Sequence, residues 1–163
     1  MAKAGSGHSS FPLSSSSQRG MSPIVQVIAR LLAGVLFLFG TYIVLHGHLT
    51  PGGGFAGGVL IAASFILVSL AFGSVEQTER NSYTLSSVVE SLGGVLFVSL
   101  ALAAYVAGTF FFQNASIYGV GSPLHLLSGG IILPANIAIG IKVGAGLFAI
   151  FLALGASRFV MKD

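Results

Sequence analysis

Four long apolar stretches, at residues 24–45, 55–73, 85–112 and 135–157, decide what this chain can fold into. Each is long enough to cross a hydrocarbon layer of about 30 Å, which takes roughly 20 helical residues. Inside a bilayer every backbone N–H and C=O must be paired within the protein, so helices and closed barrels are the forms that span. A barrel strand alternates apolar and polar residues over about ten positions. These stretches are continuously apolar and therefore read as helices. Four buried helices of a soluble domain would be the other reading, and composition argues against it. Hydrophobic residues make up 54% of the chain and charged residues 7%, where soluble domains carry about a quarter charged. The expected fold class is all-α, a polytopic membrane protein of four transmembrane helices.

The rest of the chain divides around those spans. Residues 1–20 are rich in serine, with glycine and proline, and offer little to bury, so they read as a flexible tail. No apolar run follows Lys3 within the tail, which argues against a secretory signal. Met21 opens a segment that looks like a natural start of the first helix, with the tail as an upstream extension and residues 21–163 as the transmembrane domain. Residues 46–54 form a short glycine-rich link, 74–84 a charged loop, and 113–134 a longer loop that is half apolar. The third loop is expected to lie along the interface or to dip back into the membrane. Its Asn114-Ala115-Ser116 matches a glycosylation sequon by a pattern that often arises by chance. Lys3, Arg19, Arg30, Arg80, Arg158 and Lys162 fall on one side of a four-span arrangement, and the first and third loops hold no Lys or Arg. The positive-inside rule then puts both termini in the cytoplasm.

Charge inside a membrane is expensive and points to function or to a partner. Arg30 lies six residues into the first stretch and Glu90 five residues into the third, entering from the same side. These two are expected to sit at similar depth, as an ion pair or with Glu90 as a proton or cation site. Lys142 lies seven residues into the fourth stretch from the outer side, with no acidic residue of the chain expected near its depth. It would snorkel outward, meet an acid from a partner subunit, or line a polar path. Gly140 and Gly144 flank it as a small-residue face that admits a neighbouring helix.

The densest polar signal is His46-Gly47-His48-Leu49-Thr50-Pro51-Gly52-Gly53-Gly54-Phe55. Two histidines without a third ligand make a poor metal site, so no metal is expected. Histidine carries protons near neutral pH, which suits a relay at the outer mouth. Proline followed by three glycines ends a helix and permits backbone shapes closed to other residues. A plain hairpin between two helices explains the same residues. Pro134 and Asn136 read as the entry to the fourth helix, with Asn136 also able to bond across helices. Phe110, Phe111, Phe112 and Tyr105 read as packing or lipid-facing residues, and Tyr83 and Tyr118 as interfacial aromatics.

The run GHLTPGGGFAGGVLIAASFIL at 47–67 resembles the signature of the B subunit of multisubunit Na⁺/H⁺ antiporters, the Mrp or Mnh family. NIAIGIKVGAGLF at 136–148 and the opening MSPIVQVIARLLAGVLFLFGTYIVLHGH are similar to that family too. Together they cover almost all of 21–157, with the tail outside. The resemblance implies a small four-helix subunit of a prokaryotic plasma membrane, working within a hetero-oligomer related to the membrane arm of respiratory complex I. Such complexes exchange monovalent cations, usually Na⁺, for protons. Similar subunits serve the ion-translocating modules of membrane-bound hydrogenases and related reductases. The motif residues carried over are His46, His48, Thr50, Pro51, Gly52, Gly53, Gly54, Phe55 and Lys142. Ala56 stands where the family often has glutamine, which leaves no polar role for that position.

The function expected is thus a subunit lining or supporting an ion path, with His46, His48, Thr50, Lys142 and Glu90 as ion-path candidates. A purely structural assembly subunit is the competing reading. An enzyme is not expected. The chain has no cysteine and no aspartate before Asp163, and no nucleophile–base set stands out. No cofactor is expected, and the scattered basic residues give no nucleic-acid surface. The partners implied are other polytopic subunits, Na⁺, protons and lipid.

Overall fold

The computed structural model describes residues 21–73, 75–108, 110–114 and 128–160, apart from the side chains of 75–81 and 156–160. The tail 1–20, Tyr118 and the last two residues of the sequon lie outside the described residues. Four helices follow in order: α1 Pro23–His46, α2 Gly54–Phe72, α3 Val75–Val106 and α4 Ile132–Val160. Each contains a span long and apolar enough to cross a membrane, those of α3 and α4 being Ser82–Val106 and Ile132–Gly155. The chain is a four-span, all-helical membrane protein.

Two boundaries differ from the sequence expectation. The segment 74–84, expected as a charged loop, is helical from Val75 onward. Its run of Glu, Gln, Thr, Arg and Asn holds no glycine or proline to break a helix. At the other end α3 stops at Val106 rather than running on to 112. Gly108, at φ 77°, turns the chain away, as a left-handed residue after a helix does. Phe110, Phe111 and Phe112 therefore sit in the following turn, where the Phe112 ring lies 5.1 Å from that of Phe97.

The helices pack in a row: α1 against α2, α2 against α4, and α4 against α3, with a smaller contact between α1 and α4. Small residues make the seams. The buried apolar residues are mainly alanines, among them Ala29, Ala33, Ala62, Ala104, Ala138 and Ala149. Large side chains such as Leu31, Leu38, Val95 and Leu154 point outward. That inversion follows from the solvent. Lipid tails are as apolar as leucine, so helices associate by close backbone packing rather than by burying large side chains. Glycines set the closest approaches. A Cβ on Gly58 would lie 2.8 Å from the Gly140 carbonyl oxygen, and one on Gly93 would lie 2.8 Å from the Lys142 backbone nitrogen. Gly140 and Gly144, expected to admit a neighbouring helix, admit helices of the same chain: a Cβ on Gly140 would meet Val44 of α1, and one on Gly144 would meet Gly58 and Ile61 of α2.

The end of the row that holds the N-terminus of α1 is clipped locally. The Met21 N–H donates to the Ala71 carbonyl at 3.1 Å, and the Arg30 guanidinium lies 5.0 Å above the Phe72 ring. Gly73, at φ 61°, closes the C-terminus of α2 in the left-handed form.

Candidate functional site

Two groups of polar residues stand out, one at the α1–α2 hairpin and one in the middle of the membrane. The hairpin is built from backbone outward. The His46 carbonyl, orphaned at the end of α1, accepts from the Leu49 N–H at 2.8 Å, the Thr50 N–H at 2.9 Å and the Thr50 hydroxyl at 3.1 Å. Pro51 follows, then Gly52 at φ 150° and Gly53 at φ 102°, backbone shapes that favour glycine. The Gly54 N–H, one of the orphan donors at the start of α2, donates to Asn136 Oδ1 of α4 at 3.3 Å. Asn136 is thus a bond across helices as well as an entry residue. Gly54 also meets the Asn136 backbone so closely that a Cβ would not fit.

The two histidines go separate ways. The His46 ring stacks on Tyr42, centroids 4.2 Å apart, and its Nδ1 lies 3.1 Å from the Tyr42 carbonyl. A carbonyl only accepts, so that bond places a proton on Nδ1. His48 packs against Gly129, just before α4. Among the described residues no three of His, Asp, Glu or Cys come together in a metal-holding group. Phe55 points outward and is exposed. Asn114 is a residue whose role the sequence did not reveal. Its Oδ1 accepts from the Ile131 N–H at 2.9 Å and ties the turn after α3 to the start of α4. Only the sequon had drawn attention to it.

The membrane-centre group corrects the expected pairing of the intramembrane charges. Lys142 Nζ lies 3.2 Å from Glu90 Oε1. Lys142 therefore finds its acid within the chain, and Arg30, resting on Phe72, is not the partner of Glu90. The span of α3 begins three residues earlier than expected, at Ser82 rather than at 85. Glu90 lies eight residues inside the span Ser82–Val106, about 12 Å along the axis. Lys142 lies ten residues inside Ile132–Gly155 from the opposite end, about 15 Å along. Both depths approach the middle of a layer about 30 Å thick. Glycines give the pair its room. A Cβ on Gly94 would stand 3.8 Å from Nζ, and one on Gly146 would stand 3.3 Å from the Glu90 carboxyl carbon. Gly93-Gly94 and Gly146, one helical turn from Glu90 and Lys142, carried a signal that the sequence reading passed over.

The pair is not enclosed by its own chain. The side chains of Lys142 and Glu90 are 51% and 38% exposed. A lysine has three donors and a carboxylate two accepting oxygens, and the 3.2 Å bond uses one of each. Lipid supplies no partner for the rest.

Comparison with known proteins decides the family. Residues 24–149 match the model of a domain related to the MnhB subunit of Na⁺/H⁺ antiporters. The chain belongs to the MnhB-related family. That match contains α1 from its second residue, α2, the hairpin and the Glu90–Lys142 pair, and it begins beyond the tail. An uncharacterised protein of Methanocaldococcus jannaschii is 35% identical over 145 residues, covering 86% of this chain and 55% of the relative. A Staphylococcus aureus protein named as antiporter subunit mnhB2 is 39% identical over 56 residues, 34% of this chain and 40% of that one. A chain in the structure of the membrane-bound sulfane sulfur reductase, an archaeal respiratory membrane complex, superposes with a TM-score of 0.67 at 36% identity. The superposition covers 82% of this MnhB-related chain and 57% of the other. The chain thus spans little more than half the length of the Methanocaldococcus jannaschii relative and of the reductase chain.

Proposed function

We propose that this MnhB-related protein is a subunit of a multisubunit monovalent cation/proton antiporter of a prokaryotic plasma membrane, with Na⁺ as the cation and both termini cytoplasmic. In this reading the Glu90–Lys142 pair belongs to an ion path shared with a neighbouring subunit. The observation that carries it is the half-exposed pair near the membrane centre. Ionisable groups at that depth are rare, and those that occur face a bundle interior or a water-filled cavity. A single chain with one such pair holds too few polar groups for a complete path with gates, so the remaining groups come from other subunits. His46 and His48 stand at the outer end of the row, where proton-carrying side chains suit the mouth of such a path. The chain itself performs no catalysis. The orientation rests on Lys and Arg placement.

A second reading is favoured by the sulfane sulfur reductase likeness, which extends over more of the chain than the mnhB2 match. Here the same subunit serves the ion-translocating module of a redox-driven complex. Purification from native membranes in mild detergent separates the two. Large antiporter-like subunits without redox centres are the expected company of a stand-alone antiporter. Iron–sulfur subunits in stoichiometric amount establish the redox-driven complex instead. A chain that purifies alone contradicts both.

A further inference from the structure

One face of α3 is polar for half its length and then turns to carbon. Thr84, Ser87, Ser91, Gly94 and Val98 follow at steps of three or four residues and therefore share that face. Glu90, three residues beyond Ser87 and four before Gly94, borders it, and Lys142 of α4 reaches Glu90 there. Thr84, Ser87 and Ser91 are exposed. Ser87 lies five residues inside the span Ser82–Val106, about 8 Å along the axis. Ser91 lies nine residues inside it, about 14 Å along. Hydroxyls thus lead from the α2–α3 end of the helix to the depth of the pair. Past Gly94 the same face carries Val98 and Leu102, 54% and 50% exposed, with Ala101 beside them. Ser99 stands off that face, and its hydroxyl donates to the Leu96 carbonyl at 2.7 Å. On α4 the residues one and two turns from Lys142 towards the hairpin end are Ile139, Ala138 and Ala135, while Asn136 is engaged with Gly54.

The charges demand water and the hydroxyls mark its route. A serine can satisfy its donor on its own helix, as Ser91 does on the Ser87 carbonyl at 2.9 Å, and so tolerates lipid. A carboxylate and an ammonium do not. Their 3.2 Å contact leaves both half-exposed, and ionisable groups at that depth face a bundle interior or a water-filled cavity. A serine oxygen still accepts bonds while its proton is donated, so the row can lead water to the pair. We infer that the face of α3 from Thr84 to Gly94 lines a water-filled passage that reaches the Glu90–Lys142 pair from the α2–α3 end alone, with a neighbouring subunit as its other wall. The passage presupposes the shared ion path of the proposed function and gives it a direction. This chain supplies the half that opens on the α2–α3 side, and the half towards the hairpin side runs elsewhere in the complex.

The chain contains no cysteine, so single cysteines report where water reaches. Ser87→Cys and Ser91→Cys are introduced into the intact complex and treated, in sealed vesicles of each orientation, with a membrane-impermeant methanethiosulfonate. Adducts are mapped by mass spectrometry of the digested subunit. Leu49→Cys, in the hairpin, marks the opposite side of the membrane. The passage predicts modification of both serine positions from the side away from Leu49 and none from the Leu49 side. It predicts rates at least tenfold above those of Leu85→Cys and Leu92→Cys, at similar depths but away from the polar face, 65% and 64% exposed, and of Val98→Cys further along that face. Either serine position suffices where the other variant does not assemble. Rates no faster than at Leu85 and Leu92 would overturn the passage by showing a dry face. Modification from both sides, or from the Leu49 side, would overturn it as well. Labelling reads water alone, so its failure is distinct from failure of the ion path, which cation-driven exchange by the Glu90→Gln/Lys142→Gln variant measures.

Discussion

Glu90→Gln lowers the stability of the folded subunit more than replacing both members of the pair does. With its carboxylate gone, Lys142 stands near the membrane centre with no opposite charge in its own chain. Insertion of an unsupported charge at that depth costs about 2.5–3.5 kcal/mol. Adding Lys142→Gln removes that charge and leaves two amides able to bond to each other. The expected order of thermal stability in mild detergent is therefore wild type, then the double variant, then Glu90→Gln. A double-mutant cycle measures the coupling directly. Equal stability for Glu90→Gln and the double variant would show that Lys142 without its carboxylate costs the fold nothing.

The second large effect comes from the seams. Gly58→Leu separates α2 from α4, because even a Cβ there would lie 2.8 Å from the Gly140 carbonyl oxygen and 3.0 Å from the Val143 Cβ. Overpacking a tight contact costs about 1–3 kcal/mol, and a whole leucine at a backbone contact falls at the upper end or beyond. No hydrophobic gain between helices offsets it in lipid. About 3 kcal/mol corresponds to more than a hundredfold in the folded population, so little folded subunit is expected in membranes. Gly34→Leu is the matched control. Nothing lies within 4 Å of a Cβ at Gly34, and its abundance should stay near wild type. Comparable loss in both variants would mean that leucine is harmful for reasons other than the seam.

How much of this was legible in the sequence depends on the range of the interaction. Four spans were readable because each is a local run of apolar residues. The fold of the hairpin was readable too, since Pro51 and the glycines after it act on their own backbone. The neighbour relations were not. Nothing local says that α4 lies between α2 and α3, so the face around Gly140 and Gly144 could be read as admitting a neighbouring helix, but not as meeting Val44 of α1 and Gly58 of α2. The Glu90–Lys142 pair shows how a small local error grows. The run from Glu76 to Asn81 was taken for a loop on its charge, though it contains good helix formers and no breaker. Starting the third span at 85 rather than at Ser82 placed Glu90 nearer the surface, level with Arg30, and hid its match in depth with Lys142. The glycines that make room for the pair sit one turn from each charge, a pattern that has meaning only once the two helices are known to touch.

The most direct measurement of the central claim is cation-driven proton exchange by membrane vesicles containing the complex with the Glu90→Gln/Lys142→Gln variant, its assembly verified on the same preparation. The double variant keeps the pair neutral, so the subunit stays in place while the ionisable groups are gone. Exchange reduced at least tenfold in a fully assembled complex is the predicted result and places the pair on the ion path. Exchange at the wild-type rate would contradict that role and leave this subunit as a scaffold.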